Sequence, residues 1–469
     1  MSTYELGRQP FGLASPAAWL RNEGVDVRCV DVAKERLTDE AIRVADLVAF
    51  HLPMHTATRL AAPLIQKVRA LNLSARVCAY GLYAPLNADW LRSIGVDDVL
   101  GGEFEEELAA VAKVVKARSG EDAGRDDDAG PDKVPPAEKV RPALPRLKFL
   151  VPDRSGLPSL ARYAALQMGD GTSVVAGYTE ASRGCRHLCR HCPVVPIYNG
   201  QFRIVQPEVV MADIGAQVAA GARHITFGDP DFFNGPTHAM RLVEALAAVH
   251  PSVTYDVTIK IEHLRQHRDL LPRLRATGCL FVTSAVESLD DGVLAILEKG
   301  HTRGDFLEVA ELCQREGLTL VPTFVPFNPW TTLEGFCDLV DTLDALDVVE
   351  HVAPIQLAIR LLIPEGSRML EVEQVRMLVG PFDGHTLAYP WTHPNPEVDR
   401  LHADVTALVG GRLASDRHTV FQEISQLAHD RAGVPKPPPR PARPGRKVPY
   451  LNEPWYCCAE PNPEQLRIV

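Results

Sequence analysis

Apolar positions in the first part of the chain follow two periods in turn. Residues 25–32 alternate apolar and polar side chains with period two, and short apolar runs occupy residues 46–50 and 76–80. Between these runs, residues 58–71 place leucine and valine at helical spacing. Strands that alternate with helices predict a parallel, doubly wound α/β sheet, which binds ligands at the carboxyl ends of its strands. The loops expected at that edge are 51–55 and 81–85.

The same alternation continues over a longer stretch after residue 150. Val210, Ile214 and Val218 form one apolar stripe at helical spacing, and six strand-like runs separate segments of this kind. Six strand–helix units predict a partial (β/α)6 barrel of the TIM type, whose chemistry lies at the carboxyl ends of the strands. The predicted strands lie near residues 174–178, 224–227, 255–261, 281–286, 318–326 and 356–362.

Two stretches interrupt this globular pattern. Residues 116–147 are rich in acidic residues, glycine and proline, and they carry too little apolar surface to become ordered. Residues 435–447 are basic and proline-rich, which is typical of a polyproline II spacer, with an anionic ligand as the alternative. The chain is therefore predicted to consist of a doubly wound domain at 1–115, a disordered linker at 116–147, a barrel at 148–375 and a C-terminal extension at 376–469.

The composition of the 469 residues is globular, with 46% hydrophobic and 23% charged side chains. The chain has 60 Asp+Glu against 49 Lys+Arg, and the net charge of -11 argues against nucleic acid and anionic membranes as partners. The first ten residues lack the pattern of a signal peptide, and no apolar run approaches the roughly 20 residues of a membrane-spanning helix. We expect a soluble, cytoplasmic protein.

The ten cysteines fall into three groups. In a reducing compartment, clustered thiols bind metals or take part in catalysis more often than they form disulfides. Three cysteines follow the first barrel strand, and two adjacent ones lie near residue 460. The remaining five are isolated in apolar surroundings and are expected to be small buried side chains. These are Cys29, Cys78, Cys279, Cys313 and Cys337.

The triplet has the spacing Cys185-x3-Cys189-x2-Cys192, which lets three thiolates on one compact loop converge on a single inorganic centre. Zinc prefers four ligands and commonly takes them from two separated cysteine pairs, although His187 or His191 would complete such a site. A four-iron cluster held by three cysteines leaves one iron open for a substrate or cofactor. The position of the loop after the first barrel strand favours the cluster.

With this triplet, residues 150–370 resemble the radical S-adenosylmethionine superfamily. The resemblance implies that the three cysteines bind a [4Fe-4S] cluster and that its open iron binds S-adenosylmethionine. It implies reductive cleavage of this cofactor to a 5′-deoxyadenosyl radical, with the electron supplied by a donor such as a flavodoxin or ferredoxin. The barrel would then orient the cofactor and exclude water and stray hydrogen donors.

Later segments of the barrel extend the resemblance. The segment after the second strand resembles the one that accepts the methionine amino group, which implies cofactor contacts by Gly228 and Asp229, although the common Gly-Gly-Glu is not present. The fourth strand and its helix imply that Glu287 and Ser288 contact the ribose or carboxylate of the cofactor. Arg360, on the last predicted strand, would pair with a carboxylate. Structural alternatives are a helix N-terminal charge for Glu287 and a surface ion pair for Arg360.

The N-terminal domain resembles the cobalamin-binding domain that precedes the barrel in one large class of this superfamily. The Asp-x-His-x-x-Gly motif, which supplies a histidine to cobalt, does not occur in this chain, and many members of the class hold cobalamin without it. Cobalamin is therefore a candidate cofactor. His51 and His55 lie on a suitable loop, with a solvated or capping role as the alternative. The resemblance rests on four segments, which are residues 4–13, 24–27, 45–48 and 101–108.

Near the end of the chain, Cys457 and Cys458 are followed by Ala-Glu-Pro. Adjacent cysteines do not easily ligate one tetrahedral metal, but they suit a redox-active pair, a trap for a soft element or a nucleophile with a resolving partner. The alternative is that both thiols pack beside Trp455 and Tyr456. The tail resembles radical proteins named for a terminal CCAEP or its selenocysteine counterpart CUAEP, which implies a reactive, catalytic role for this pair.

These features predict a radical enzyme that modifies a small molecule, with Cys457 and Cys458 as a redox or acceptor-binding element. A soft acceptor such as trivalent arsenic or a selenium species fits a dithiol. Modification of transfer RNA or of a protein is one alternative, although the acidic charge weighs against it. A non-enzymatic metal or corrinoid carrier is another. Trp391, His393 and the loop 328–330 are pocket candidates, or else packing residues.

Overall fold

The computed structural model describes residues 1–121, 144–412, 416–438 and 448–452. The predicted cysteine pair, Cys457 and Cys458, lies outside the described residues. The same holds for residues 122–143 of the predicted linker and for residues 439–447 of the proline-rich stretch.

The N-terminal domain contains a parallel sheet in the order β1 (Leu47–His51), β2 (Arg76–Tyr80) and β3 (Asp98–Leu100). Its helices are α1 (Phe11–Asn22), α2 (Asp39–Arg43), α3 (His55–Leu71), α4 (Ala88–Ser93) and α5 (Glu105–Glu121). Alternate residues of β2 point to opposite faces, where one set packs with α3 and the other with α1 and α5. Both faces are covered, so the predicted doubly wound arrangement is confirmed.

Two predicted boundaries in this domain differ from the structure. Residues 25–32 do not form a strand, and only Asp31 joins the sheet, through a single bridge to Ser2. Ser2 in turn bridges to His51. The helix α5 continues to Glu121 and therefore covers residues 116–121 of the predicted linker.

The barrel contains more strands and helices than the six predicted repeats. Its described strands are β4 (Ala165–Gln167), β5 (Ser173–Thr179), β6 (Ser182–Gly184), β7 (Phe202–Ile204), β8 (His224–Phe227), β9 (Thr254–Thr258), β10 (Cys279–Glu287), β11 (Thr319–Phe324) and β12 (Tyr450–Leu451). Its described helices, with those of the C-terminal extension, are α6 (Val195–Tyr198), α7 (Pro207–Ala219), α8 (Pro236–Val249), α9 (Ile261–Gln266), α10 (Leu271–Ala276), α11 (Asp291–Ile296), α12 (Arg303–Glu316), α13 (Leu333–Ala345), α14 (Glu373–Leu378), α15 (Pro396–Gly410) and α16 (Arg417–Ala432).

The main sheet has the order β11-β10-β9-β8-β5-β4-β12, and the five strands from β11 to β5 are parallel. The predicted strand at 356–362 is wrong. Pro354–Ala358 form a 3-10 helix, and Arg360 makes one isolated bridge to Phe327. Pro354 lacks a backbone donor and has a φ suited to a helical turn, which favours this outcome. The partial-barrel fold class is confirmed, with five parallel strands in the described chain instead of six.

The C-terminal extension returns to the open edge of the main sheet. After α15 and α16 have packed beside α13, β12 pairs with β4 in antiparallel fashion, with Tyr450 opposite Gln167 and Leu451 opposite Leu166. Because β4 is itself antiparallel to β5, β12 runs in the same direction as β5. Within the described ranges, no helix is long and apolar enough to cross a membrane.

The five isolated cysteines are buried, as predicted. Burial in apolar surroundings raises the pKa of each of these thiols above its ordinary value. They remain protonated at neutral pH and are poor metal ligands and nucleophiles in this state.

Candidate functional site

A cavity of about 350 Å³ lies between the two domains, where the carboxyl ends of both sheets face each other. On the N-terminal side, Met54 follows β1, and Leu82 and Tyr83 follow β2. On the other side, the loops after the parallel barrel strands form the wall. This is the edge at which doubly wound sheets and barrels bind their ligands.

All three cysteines of the triplet line this cavity, and none of them forms a disulfide. Cys185 and Cys189 are buried, and Cys192 is half-buried. Burial raises the pKa of Cys185 to about 11, so a metal centre has to displace its proton on binding.

The hairpin of β6 and β7 fixes the start of the cysteine loop. Gly184 has φ 75°, and a Cβ at this position would lie 2.3 Å from a ring carbon of Tyr198 and 2.6 Å from the carbonyl oxygen of Gln201. Glycine is therefore required for both the conformation and the close approach. Asn234 holds the next residues, because its side chain donates to the carbonyl of Gly184 at 3.3 Å and accepts from the amide of Arg186 at 3.2 Å.

The structure also offers a smaller metal site beside the loop. Ligand atoms of Cys185, His187 and Asp231 lie within 4.8 Å of one another. A single ion at this place would use one thiol and leave Cys189 and Cys192 unused, and Asp231 is already paired with His263 at 2.7 Å. The donor set of three cavity-facing thiols therefore fits a cluster better than it fits one zinc ion.

Gly228 and Asp229, for which the sequence predicts cofactor contacts, line the cavity beside the cysteine loop. The Asp229 carboxylate accepts hydrogen bonds from the amide of Ala181 at 3.0 Å and from the hydroxyl of Ser182 at 2.5 Å. Burial nevertheless raises the pKa of Asp229 to about 7. A Cβ on Gly228 would clash with the ring of Tyr178, so this close contact also requires glycine.

Glu287 lies in the cavity wall with φ 72°. Its Oε1 lies 3.0 Å from Nε2 of His191 in the cysteine loop and 3.4 Å from Nζ of Lys299. Burial alone would raise the pKa of Glu287, but Lys299 and His191 lower it to about 2. Ser288 does not line the cavity, and its hydroxyl accepts from the amide of Asp290 at the start of α11.

Arg360 is, after Ser288, the second predicted cofactor residue that lies outside the cavity. It does not line the cavity, because its guanidinium lies 2.7 Å from Asp399, donates to the carbonyl of Trp391 and covers the Trp391 ring at 3.7 Å. The pocket candidates Trp391 and His393 belong to this separate cluster, where the His393 amide donates to Asp399. In the loop 328–330, the Trp330 indole donates to Gln374.

The two histidines of the loop 51–55 also lie outside the cavity wall. His51 lies 2.7 Å from Glu5, and His55 lies 2.5 Å from the carbonyl oxygen of Thr386. Burial lowers the pKa of His55 to about 4, so it is neutral at physiological pH. Neither residue lines the cavity.

Four basic side chains that the sequence analysis missed line the cavity. Burial would lower the pKa of Lys299, but Glu287 and the thiolates of Cys189 and Cys192 raise it above its ordinary value. Its position just after the helix of the fourth repeat is a signal that could have identified it. The other three basic residues are Arg8, Lys260 and Arg417.

The cysteine loop follows the first parallel strand of the partial barrel. Residues 179–343 match the family model described as the Radical SAM superfamily. The chain therefore carries a radical SAM domain, a type of domain that binds a [4Fe-4S] cluster and S-adenosylmethionine.

Curated relatives match part of the chain. A tRNA-2-methylthio-N(6)-dimethylallyladenosine synthase of Desulfosudis oleivorans is 29% identical over 199 residues, which are 40% of this chain and 40% of that protein. A bacteriochlorophyllide d C-8(2)-methyltransferase of Chlorobaculum tepidum is 25% identical over 187 residues, or 38% of each. The chain thus matches about two fifths of the length of these relatives. Because one of them is named for a tRNA product, the charge-based argument against nucleic acid is not supported.

Solved structures are similar over both domains. The radical S-adenosylmethionine methyltransferase TsrM of Kitasatospora setae, solved with tryptophan and a cofactor analogue, has a TM-score of 0.61 at 19% identity and covers 85% of this chain and 86% of its own. The cobalamin-dependent radical enzyme OxsB has a TM-score of 0.68 at 13% identity, with 90% and 69% covered. At these identities the similarity shows a shared fold, which includes the N-terminal domain.

Proposed function

We propose that this enzyme uses S-adenosylmethionine bound at a [4Fe-4S] cluster to modify a small molecule, either through a 5′-deoxyadenosyl radical or by transfer of a group derived from the cofactor. The observation that carries the proposal is one continuous cavity, lined both by the cysteine triplet and by the ligand-binding edge of the N-terminal sheet. A substrate in this cavity would therefore be within reach both of a cluster bound by the cysteine triplet and of a ligand bound at the N-terminal sheet.

In this proposal, Cys185, Cys189 and Cys192 bind the cluster. The reduced cluster, when bound, supplies the electron that cleaves S-adenosylmethionine, and a flavodoxin or ferredoxin is the expected donor. Gly228 and Asp229 would receive the methionine amino group, and their position in the cavity wall beside the cysteine loop supports this role. Lys299 takes over the carboxylate-binding role expected of Arg360, because its ammonium group lines the cavity close to Cys189 and Cys192.

We extend the proposal to cobalamin at the N-terminal edge of the cavity, where it would serve as a methyl carrier. Leu6, Met54, Leu82 and Tyr83 form a largely apolar wall there, which suits the face of a flat macrocycle. The described residues that this domain contributes to the wall include no histidine. TsrM and OxsB, which share the fold, have been solved with cobalamin bound.

The position and direction of β12 support a role for the tail cysteines at this cavity. Val448, Pro449, Tyr450 and Leu451 line the cavity, and β12 runs in the direction of β5, toward the carboxyl edge of the sheet. Five residues lead from Asn452 to Cys457, which is a reach of at most about 18 Å. This supports a role for Cys457 and Cys458 as a redox or acceptor-binding element at the same cavity.

The direct test is anaerobic reconstitution with iron and sulfide, followed by addition of dithionite and S-adenosylmethionine. We expect production of 5′-deoxyadenosine, or of S-adenosylhomocysteine when a methyl group is transferred, and loss of both in a variant with all three triplet cysteines replaced by alanine. If the wild-type protein forms neither product, the proposal is wrong. A corrinoid absorption spectrum after incubation with hydroxocobalamin and gel filtration tests the cobalamin part separately.

Modification of RNA is the second candidate, and the name of the Desulfosudis oleivorans relative favours it. It is tested by incubating the reconstituted enzyme with total cellular RNA and S-adenosylmethionine labelled in the methyl group. Label in the RNA that depends on the cysteine triplet would replace the small-molecule proposal.

A further inference from the structure

The floor of the barrel, below the cysteine loop, is unusually polar. Side chains that point into a TIM-type barrel are mostly branched and apolar, and they fill its interior. Here the inward positions of neighbouring strands present hydroxyl groups and a carboxylate to open space. The polar residues of strands β8 to β11 that line the cavity are Thr226, Asp256, Thr258, Thr283 and Thr323, of which Thr258 and Thr323 lie near the carboxyl ends of β9 and β11.

Asp256 is the acidic group of this floor and is only 5% exposed. One of its oxygens, Oδ1, lies 2.8 Å from Nε2 of His224 and accepts from the Thr226 hydroxyl at 2.6 Å. These two contacts fix the carboxylate, and no lysine or arginine of the described chain forms an ion pair with it. The carboxylate thus faces the cavity with one oxygen held by neighbours and the other open to a donor on a ligand.

Arg417 is the basic group of the floor. Its guanidinium lies 4.2 Å from the ring centre of Tyr450, and one nitrogen donates to the carbonyl oxygen of Glu350 at 2.9 Å. No carboxylate of the described residues pairs with it, and burial lowers the pKa of Arg417 below its ordinary value. Arg417 is half-buried, and a partly desolvated guanidinium without a paired carboxylate at a cavity points to an anion that arrives with the ligand.

Both charged residues are linked to the start of β11. Asp256 pairs with Phe281, and Phe281 pairs with Thr319, the first residue of β11. Arg417 bonds to Glu350, whose neighbour His351 lies 2.7 Å from the carbonyl oxygen of Leu320, again at the start of β11. Through β10, Asp256 is therefore level with the start of β11, the same end of β11 to which Arg417 is linked through Glu350 and His351.

We infer that the barrel floor binds a small zwitterion of the amino-acid type, with its ammonium group at Asp256 and its carboxylate at Arg417. The threonine hydroxyls of β8 to β11 serve the remaining polar atoms of the ligand. This inference rests on the proposed function, since the bound molecule would be the substrate held below the radical-generating cluster. A ligand with only negative charge would pair with Arg417 but would offer no ammonium group to Asp256.

The test measures binding of the twenty common L-amino acids, and of their N-acetyl and carboxamide derivatives, to the full-length protein by saturation-transfer NMR and calorimetry. At least one free amino acid should bind, and blocking either of its charged groups should weaken binding by about tenfold or more. Asp256→Asn and Arg417→Gln should each weaken binding to a similar degree. The exposed matched controls Asp269→Asn and Arg315→Gln should leave it unchanged.

Three results would overturn the inference: no free amino acid binds, the blocked derivatives bind equally well, or the two floor variants bind like the wild type. A variant with all three triplet cysteines changed to alanine should keep amino-acid binding while losing cofactor cleavage, so that failure of the proposed function is recognised separately. Arg417→Gln should unfold thermally at the same temperature as the wild type or higher, because an unmatched charge is removed. A marked decrease would instead assign Arg417 a structural role.

Discussion

Arg183 and Glu105 lie 2.7 Å apart across the boundary between the barrel and the N-terminal domain, and both side chains are buried. The same guanidinium lies 3.2 Å from Glu103 and 2.8 Å from Glu180. Burial raises the pKa of Glu103 and of Glu180, whereas Arg183 outweighs burial at Glu105 and lowers its pKa. The residue two positions before Cys185 is therefore anchored on the neighbouring domain by a network with more negative than positive charge.

Replacement of Arg183 should destabilise the protein, because the network would then contain only negative charges. Arg183→Gln leaves two buried carboxylates, Glu103 and Glu105, and the half-buried Glu180 without their cation, and it should lower the free energy of unfolding by about 3–5 kcal/mol near pH 8. Protonation of Glu103 and Glu180, whose pKa values burial raises, should reduce this loss as the pH falls. Urea titrations followed by circular dichroism measure both effects. The exposed control Arg315→Gln should change stability by less than about 0.5 kcal/mol, and a similarly small effect at Arg183 would contradict the prediction.

The Glu287–Lys299 pair should be required for the integrity of the cysteine loop. Lys299→Met leaves His191 as the remaining partner of Glu287 and should lower the free energy of unfolding by about 3 kcal/mol, because a buried carboxylate loses its counter-charge. It should also reduce the iron bound per chain after reconstitution. Lys299→Arg retains the charge and should restore most of both quantities. Equal behaviour of the two variants would show that the charge of Lys299 is not what matters.

Asp229 should make stability depend on pH. Its pKa is raised from 3.8 to about 7 by burial, so the folded state binds its proton more tightly than the unfolded state. The contribution is fully present below about pH 4 and is lost as the pH rises through 7, with a total of about 4 kcal/mol. Asp229→Asn lacks this proton, so its stability relative to the wild type should increase over the same range. Parallel stability–pH curves for the two proteins would rule this out.

Substitutions at two glycines with similar φ values can distinguish the cost of backbone strain from the cost of steric contact. Gly184 (φ 75°) lies against Tyr198 and the Gln201 carbonyl, whereas Gly171 (φ 86°) has nothing within 4 Å of a built Cβ. Gly171→Ala should cost about 1 kcal/mol from the strained conformation alone. Gly184→Ala should cost at least 2 kcal/mol more and should reduce iron binding, because the hairpin before Cys185 must shift. Equal costs in denaturant titrations would remove the argument for a steric requirement at Gly184.

The two cysteine groups should separate cleanly in mutants. Alanine at Cys185, Cys189 or Cys192 should abolish the broad visible absorbance of the reconstituted protein and its bound iron. Serine at Cys457 or Cys458 should leave iron and absorbance unchanged and should affect only turnover of the substrate. A loss of iron in the tail variants would refute this division of roles.

The local parts of the site could be predicted from the sequence, whereas the parts that depend on distant packing could not. Cys185, Cys189 and Cys192 share one short loop, and Gly228 and Asp229 directly follow a strand, so their spacing already fixes their neighbourhood. The sequence could not show that Arg360 would pair with Asp399 or that a 3-10 helix would replace its strand, because both depend on α15 and on the loop before it.

The closure of the main sheet has a consequence for biosynthesis. Asn452 and Ala165, which pair at the edge of the sheet, are 287 positions apart in the sequence. Pairing at such a separation is slow to form, and the edge of β4 cannot be covered before residues 448–452 have been synthesised. The nascent chain therefore carries an unpaired strand edge through most of its translation, a state in which aggregation competes with folding. Chaperones that shield this edge should have their greatest effect on yield when translation is slow over the last third of the messenger RNA.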